Sequence, residues 1–550
     1  MRGNSRFLLL VPLLAALLLA SCAPTPAVVK EVVKETVVVE KEVKVEVTKV
    51  VEVEKEVEKE VVVTATPVPP EAKMCDGVTL VAVTQPGPYI AGPLFDHRDA
   101  WTALTGGKAE VVEVPYENLY EKIMTSFTTG VHAYDIIVVG ATWLPDFVPY
   151  LVSLDDYIAN PETNPDWEDI LPAYREILCK CEGEYYALTL DGDTHTLFYR
   201  RHLFTDPKNQ ANFKAKYGYD LAVPKTMDQL RDVAEFFTGW DWNGDGQPDY
   251  GWAQPMARGT QSHWWFWDFV APFCVMPPGP GGPDQYHGQL YFDPETMKPL
   301  VNEPCMLKGL ELYKEMAKFG PPGMEAWGVG EIRSGFPSTA NIAMTFEWGG
   351  IPGMCEDKAI AAPAVIGDCG SAPRPGSMEV WDRENQKWVK LDEPNTAPLL
   401  NFGGWVGAIT KTSKNQACAY DFLKFLNSPE ISFQDVMVGD TGFNVYRYTH
   451  VRDLSPWVEA WGTVAEQDAK EYLDAVRADL ENPNVIIDLR IPGKPEYVDT
   501  VLDLHVCSAI VGEEDPADAL QTIYDEWEKI TERLGRDSQK EFYRKMMGMD

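Results

Sequence analysis

Two carboxylates flank a glycine in Asp191-Gly192-Asp193, inside the extended stretch Tyr185–Phe204 (YYALTLDGDTHTLFYRRHLF). Carboxylates placed this way accept hydrogen bonds from the hydroxyls of a sugar. The competing reading is a turn in which each caps backbone amides. Tryptophan is plentiful, with 17 in the chain. Trp143 follows a strand-like run, Trp264, Trp265 and Trp267 cluster after Arg258, and Trp348 and Trp405 each lie beside glycines. An indole face stacks on the apolar C–H face of a sugar ring, although core packing competes for every tryptophan of the cluster. Glycine beside Trp348 and Trp405 lets the backbone approach a ligand. A third constellation runs from Asp241 to Asp249. Asp241, Asn243, Asp245 and Asp249 at positions 1, 3, 5 and 9, glycine at 6 and the Gln247 carbonyl at 7 match a calcium loop of the EF-hand type. Position 12 is Trp252 rather than a bidentate glutamate. The calcium expected here is therefore structural, against an Asx-turn that holds no metal.

The chemistry that is missing narrows the function. No GxSxG elbow, Walker A loop, HExxH or CxxC motif occurs, and the 8 histidines are scattered. With 84 carboxylates, acid pairs of the kind a glycoside hydrolase uses arise by chance and carry little weight. A net charge of −36 argues against nucleic acid or anionic headgroups as partners. Repeats that would mark a calcium-dependent adhesin are not visible. A binding protein is expected, with no cofactor required, and a lipid-anchored glycoside hydrolase is the enzymatic competitor.

The elements that must position these residues begin with an address. Arg2 and Arg6 precede an apolar run, Phe7–Ala20, short for a membrane span and shaped like a signal peptide. It ends Leu19-Ala20-Ser21-Cys22, which resembles the bacterial lipobox. Residues 1–21 are thus expected to be removed and Cys22 lipidated, anchoring the protein on the outer face of the cell membrane. Residues 22–74 form a stalk of Val, Glu and Lys, read either as a valine-rich coiled coil or as an extended tether. Nearly all of the net charge falls after it. Val78–Thr84, Ala109–Pro115 and Tyr134–Gly140 read as strands, with helices over Asp96–Thr105 and Glu117–Gly130, a βαβαβ order that implies a parallel sheet. Trp143 then falls beyond a strand's carboxyl end, where ligands bind in open sheets. The stretch from Tyr185 crosses into a second α/β region, where Thr226 and Gln229 form a capping box for MDQLRDVAEFF.

Four segments carry a family resemblance: PYENLYEKIMTSFTTGVHAYDIIVVGATWLPDFVPYLVSLDDYI, EGEYYALTLDGDTHTLFYRRHLF, GGWVGAITKTSKNQACAYDFLKFLNSPEIS and ALQTIYDEWEKITERLGR. In order and spacing they resemble the extracellular solute-binding proteins of bacterial ABC importers, the sugar-binding family that includes maltose-binding proteins. The resemblance implies an α/β, two-lobed periplasmic-binding-protein fold of type II character, each lobe a mostly parallel sheet flanked by helices and the two joined by hinge strands. One lobe would comprise residues 75–188 and 365–438, the other 189–364 and 439–550. It implies a monomer, apart from any stalk coiled coil, that captures a small solute and delivers it to permease subunits without chemistry. A sugar or oligosaccharide is the expected solute, with glycerol phosphates and polyamines as alternatives. Arg447 lies where the family returns across the hinge, although Val445 stands where the family often has proline. The expected ligand-binding set is Trp143, Asp191, Asp193, Arg258, Trp264, Trp265, Trp348, Trp405 and Arg447. Cys355 with Cys369 is the first candidate disulfide and Cys274 with Cys305 the second. Cys369–Pro398 reads as an inserted hairpin of no assigned function.

Overall fold

Runs of β-branched and apolar residues build the first sheet. Strands β1 (Thr79–Thr84), β2 (Lys108–Glu113) and β3 (Ile136–Gly140) alternate with helices Ala91–Thr105 and Tyr116–Thr129, and β1 pairs parallel with both neighbours. The first helix starts earlier than expected because Pro93 falls in its first turn, where a missing N–H costs nothing. The second follows the predicted spacing, burying Leu119, Ile123 and Phe127. The computed structural model describes residues 73–259, 261–277, 289–400 and 402–549, all within one compact unit. The signal peptide, Cys22 and the stalk up to residue 72 lie outside the described residues. Among the described residues, no helix is long and apolar enough to cross a membrane.

After a short hairpin, β4 (Lys180–Cys181) and β5 (Glu184–Tyr185), strand β6 (Ala187–Thr189) closes the first sheet. The chain then crosses directly into β7 (Thr196–Arg200), the centre of a second sheet with β8 (Met344–Glu347) and β9 (Cys369–Ala372) at its sides. This sheet is antiparallel at both pairings rather than mostly parallel. Its outer strands come back from far along the chain, so no right-handed crossover dictates their direction. Strand β9 also shows that residues 369–372 join the second sheet, not the first as the boundary at 365 implied. The inserted hairpin is shorter than expected, β10 (Ser377–Asp382) against β11 (Lys387–Asn395), with Trp381 opposite Trp388. Strand β12 (Leu399–Leu400) pairs with β14 (Ile486–Ile487), and β13 (Trp405–Ile409) returns antiparallel between β3 and β6, giving the order β2-β1-β3-β13-β6.

The tryptophan cluster lies on helix His263–Cys274, all of whose residues are buried. The capping box forms with a small shift: Thr226 Oγ1 accepts from Gln229 N at 3.2 Å, and the Gln229 side chain accepts from Lys225 N at 2.9 Å. The disulfides are Cys75–Cys418 and Cys274–Cys305. The first corrects the expected Cys355–Cys369 bridge. Those two thiols are buried neighbours that hydrogen-bond without joining, Cys355 on helix Gly350–Glu356 and Cys369 on β9.

Candidate functional site

The crossing from β6 to β7 is held by main-chain bonds before any side chain acts. Leu190 N and Asp191 N both donate to the Trp405 carbonyl, at 2.9 and 3.1 Å, and Gly192 N donates to Asn444 O at 3.3 Å. Such close approach requires glycine. A Cβ on Gly404, whose φ is +97°, would overlap the Asp191 carbonyl, and one on Gly192 would overlap the Val445 carbonyl.

Asn444 clasps the two acids. Asp191 Oδ1 accepts from the Asn444 backbone N at 2.7 Å and from its side-chain amide at 3.0 Å, and Asp193 Oδ1 accepts from the same amide at 2.7 Å. Both carboxyls are buried, Asp193 being 4% exposed. Burial pushes the Asp191 pKa up to about 7. Burial, then the neighbouring Asp191 charge, holds Asp193 well above the usual carboxylate range. Two acids in contact in a dry site favour sharing a proton over both ionising. The turn reading thus holds for Asp191, whose carboxyl ties two crossing segments together.

Asp193 also faces a cavity of about 300 Å³, which Trp348, Trp405, Tyr89, Tyr116 and Arg333 help to line. Arg333, on helix Val329–Ser338, is 3% exposed; its Nε donates to Glu347 Oε1 at 3.2 Å, and its guanidinium lies 5.1 Å from the Tyr89 ring centre and 5.9 Å from that of Trp348. Tyr116 packs edge-on to Trp405 at 6.3 Å. Two buried polar groups on the cavity wall, Tyr116 Oη and Trp348 Nε1, bond to no protein group. The cavity therefore offers flat aromatic faces, unspent hydrogen-bonding groups, the buried acid Asp193 and a cation already paired to a carboxylate.

Of the expected set, the structure brings Asp193, Trp348 and Trp405 to this cavity. Trp143, Trp264 and Trp265 form a layer behind it. Trp143 lies 5.2 Å from the Tyr116 ring, Trp265 lies 5.1 Å from Trp348, and Trp264 lies 5.8 Å from Trp348. The indoles of Trp264 and Trp265 donate to Asp488 Oδ2 and to the Phe346 carbonyl at 2.6 and 2.8 Å. Arg258 is exposed; its neighbour Gly259 and Gln261 reach the cavity instead. Arg447 is placed elsewhere. It is buried, donating to the Pro165 carbonyl at 3.0 Å and to Asn427 Oδ1 at 2.6 Å, where it ties the return segment to the end of helix Gln416–Asn427.

Sequence reasoning missed Tyr89, Tyr116 and Arg333. Tyr116 opens the helix just beyond β2, at a carboxyl end of the parallel sheet, so the rule that points to Trp143 also points to it. Nothing in the local pattern marks Arg333.

The calcium-like loop does not gather into a cage. Asp241 accepts from the amides of Gly244, Asp245 and Gly246, Asp245 from that of Gln247, and Asp249 from those of Trp242 and Asn243. The Asn243 side chain presents its NH₂ to Asp249 at 2.8 Å. Among the described residues, no three His, Cys, Asp or Glu converge to hold a metal. In this arrangement these oxygens are engaged by the loop's own amides, as in an Asx-turn.

Comparison with known proteins bears on the arrangement as a whole. The family model for bacterial extracellular solute-binding proteins matches residues 84–432, more than half of the chain. A probable amino-acid ABC transporter periplasmic-binding protein of Sinorhizobium fredii is 23% identical over 369 residues, covering 67% of this chain and 73% of its own length. An ABC transporter solute-binding protein from Agrobacterium radiobacter, in complex with ribitol, superposes with a TM-score of 0.64 at 23% identity over 83% of this chain and 100% of its own. Maltose-bound T. maritima MalE3 gives 0.60 at 17% identity, covering 82% and 100%. The Agrobacterium vitis solute-binding protein with bound D-mannitol gives 0.60 at 19%, covering 83% and 99%. The structural likenesses show the fold. The family match spans the Asp191–Asp193 crossing and most strands of both sheets, so the chain belongs to the bacterial extracellular solute-binding proteins, the binding components of ABC transporters.

Proposed function

We propose that the cavity beside the Asp191–Asp193 crossing captures a neutral, polyhydroxylated solute, a sugar or polyol, for delivery to a membrane permease. The observation that carries this reading is the pairing of aromatic faces with buried polar groups that lack a partner, Tyr116 Oη and Trp348 Nε1. Burying such groups costs about 1–3 kcal/mol each unless something bonds to them. Hydroxyls do so without bringing a charge into a dry site. The solved relatives with ribitol, maltose and D-mannitol support the choice. The amino-acid name of the Sinorhizobium relative supports a second reading. The cavity favours it less, because Arg333 is the one basic residue among its described lining and is already held by Glu347.

The solute bridges elements of both sheets and so favours the closed arrangement of the lobes. No bond in it is made or broken. Cys22 holds the protein to the outer face of the membrane through lipid, with the stalk as spacer. This part of the proposal is supported by Leu19-Ala20-Ser21-Cys22 and the apolar run before it.

The test is calorimetry on the full chain carrying Cys22→Ser against sugars, polyols, amino acids and polyamines, followed by Trp405→Ala. One saccharide or polyol class should bind, and Trp405→Ala should weaken it at least tenfold while the chain stays folded. Binding of amino acids alone would overturn the solute class. Full affinity in Trp405→Ala would remove this cavity as the site.

A further inference from the structure

A second cavity lies away from the crossing, and the proposed function makes no use of it. Its volume is about 580 Å³, within the range of small-ligand sites, about 300–1,000 Å³. Three elements wall it. The chain just beyond β3 contributes Val148, the hairpin of β4 and β5 contributes Lys180 and Cys181, and the last helix, Arg536–Met546, contributes Phe542 and Lys545. Arg490 forms its floor with Ile177 and Ile487.

Charge distinguishes this crevice from the rest of the molecule. The full chain carries −36, yet the lining holds Lys180, Arg490 and Lys545 against Glu176 and Glu182. Lys545 is paired with Glu541 at 2.7 Å and Lys180 lies 3.9 Å from Glu176, which leaves Arg490 as the lining cation without a carboxylate partner among the described residues. Arg490 staples the walls together. Its guanidinium donates to the Ile177 carbonyl, to the Ala141 carbonyl at 3.2 Å and to Cys181 Sγ at 2.8 Å. All three acceptors are uncharged, and no Arg490 ion pair within 4.0 Å occurs among the described residues. Its hydrogens are placed but its charge is not neutralised. Glu176 cannot serve, because it is engaged by Tyr185 Oη at 2.7 Å and by Arg175 at 3.2 Å. The remaining wall is apolar. Such a lining has two complementary halves, a cationic one for an acid head and an apolar one for a hydrocarbon body.

We propose that this crevice is a second ligand site, for a small amphiphilic carboxylate whose head meets Arg490, Lys180 and Lys545 and whose apolar body lies on Val148, Ile177 and Phe542. The assignment is independent of the solute taken by the cleft. It predicts a ligand that the cleft would disfavour, since the charged residues of the cleft lining are Glu117, Asp193 and Glu331 against Arg333 alone, and Arg333 is already paired with Glu347.

Cys181 supplies a local readout. Of the five unbonded cysteines among the described residues it is the one that is not fully buried, and it lines the crevice. The experiment uses the full chain with Cys22→Ser, so that no lipid competes, and three probes sharing one tail: octanoate, octanamide and octyltrimethylammonium. Alkylation of Cys181 by iodoacetamide is followed by peptide mass spectrometry, with calorimetry on the same samples. Octanoate should slow modification at least tenfold and release binding heat, octanamide should act far more weakly, and the cation should not act. Lys180→Glu combined with Lys545→Glu should abolish the octanoate effect while leaving the melting temperature and the cleft solute's affinity unchanged. Equal protection by octanamide, octanoate binding retained in the double variant, or no heat from octanoate with the unsubstituted residues would each overturn the proposal.

Discussion

The cleft cavity has about half the volume of the crevice under the last helix, about 300 against 580 Å³, but it carries far more unspent polar chemistry. In the cleft, Tyr116 Oη and Trp348 Nε1 are buried without partners, two carboxyls press against each other, and Arg333 is tied to a buried glutamate. In the crevice, Arg490 is satisfied by carbonyls and a thiol, and the flanking lysines reach solvent. Size alone would rank the crevice first. What separates them is stored cost. A folded chain retains orphaned buried groups where a ligand completes them, so the cleft is set to gain hydrogen bonds from occupancy, whereas in the crevice the hydrogen bonds of Arg490 are already made and what is left unspent is its charge.

The largest test of that contrast compares two arginines. Arg333→Met leaves Glu347 buried without its cation and should cost about 3–5 kcal/mol of stability. Arg490→Met removes hydrogen bonds to neutral groups and strands no carboxylate, so its cost should stay nearer about 1–3 kcal/mol. Urea unfolding of both variants at neutral pH measures the gap. Equal costs, or a larger one for Arg490, would mean that the cleft is no more strained than the crevice.

A smaller effect is expected from the acids. Asp191, with a folded-state pKa of about 7, and Asp193, held well above the usual carboxylate range, both lie above their unfolded values near 3.9. Their contribution to stability is therefore complete below about pH 4 and is lost as pH rises, through about 7 in the case of Asp191, with a slope of at most about 1.4 kcal/mol per pH unit for each group. Asp193→Asn keeps a polar partner for Asn444 and removes one of the two charges. Its stability relative to the parent should therefore rise between pH 5 and pH 8. A parent–variant difference that stays constant over this interval would show that the pair is not protonated in the folded chain.

Why some of this was legible in the sequence and some was not follows from range. The first sheet was readable because each β–α–β step is local, and its hydrophobic period appears within a dozen residues. The second sheet's antiparallel pairing was not, since β7 finds Met344–Glu347 and Cys369–Ala372 across long intervening segments. The Cys75–Cys418 bridge, spanning 343 residues, leaves no local trace either. That Trp348 and Trp405 line the cavity was legible because glycine beside an aromatic at a strand end is a local sign of close approach. Arg447 was misplaced because a buried structural arginine and a ligand-gripping one look alike in sequence. Only the carbonyls of Pro165 and Asp166 and the side chain of Asn427 reveal which it is. Arg333 was missed for the same reason in reverse.

The finest test removes a single oxygen. Tyr116 Oη is buried against the cavity and makes no protein hydrogen bond, and burial, with the nearby Asp499, Asp488 and Asp503 adding to it, holds its pKa far above the ordinary range, so it stays a neutral donor. Tyr116→Phe therefore breaks no bond in the free protein, and its stability should be unchanged or slightly higher, because an unsatisfied polar atom leaves the interior. Solute affinity should fall about two- to tenfold, the worth of one neutral hydrogen bond of about 0.5–1.5 kcal/mol. The two readouts together are diagnostic. Lower stability with unchanged affinity would make the hydroxyl a structural group whose partner lies within the chain. Unchanged stability with weakened binding would mark it as a group whose partner is the solute, and would place the difference between the two cavities in unspent hydrogen-bonding capacity rather than in shape.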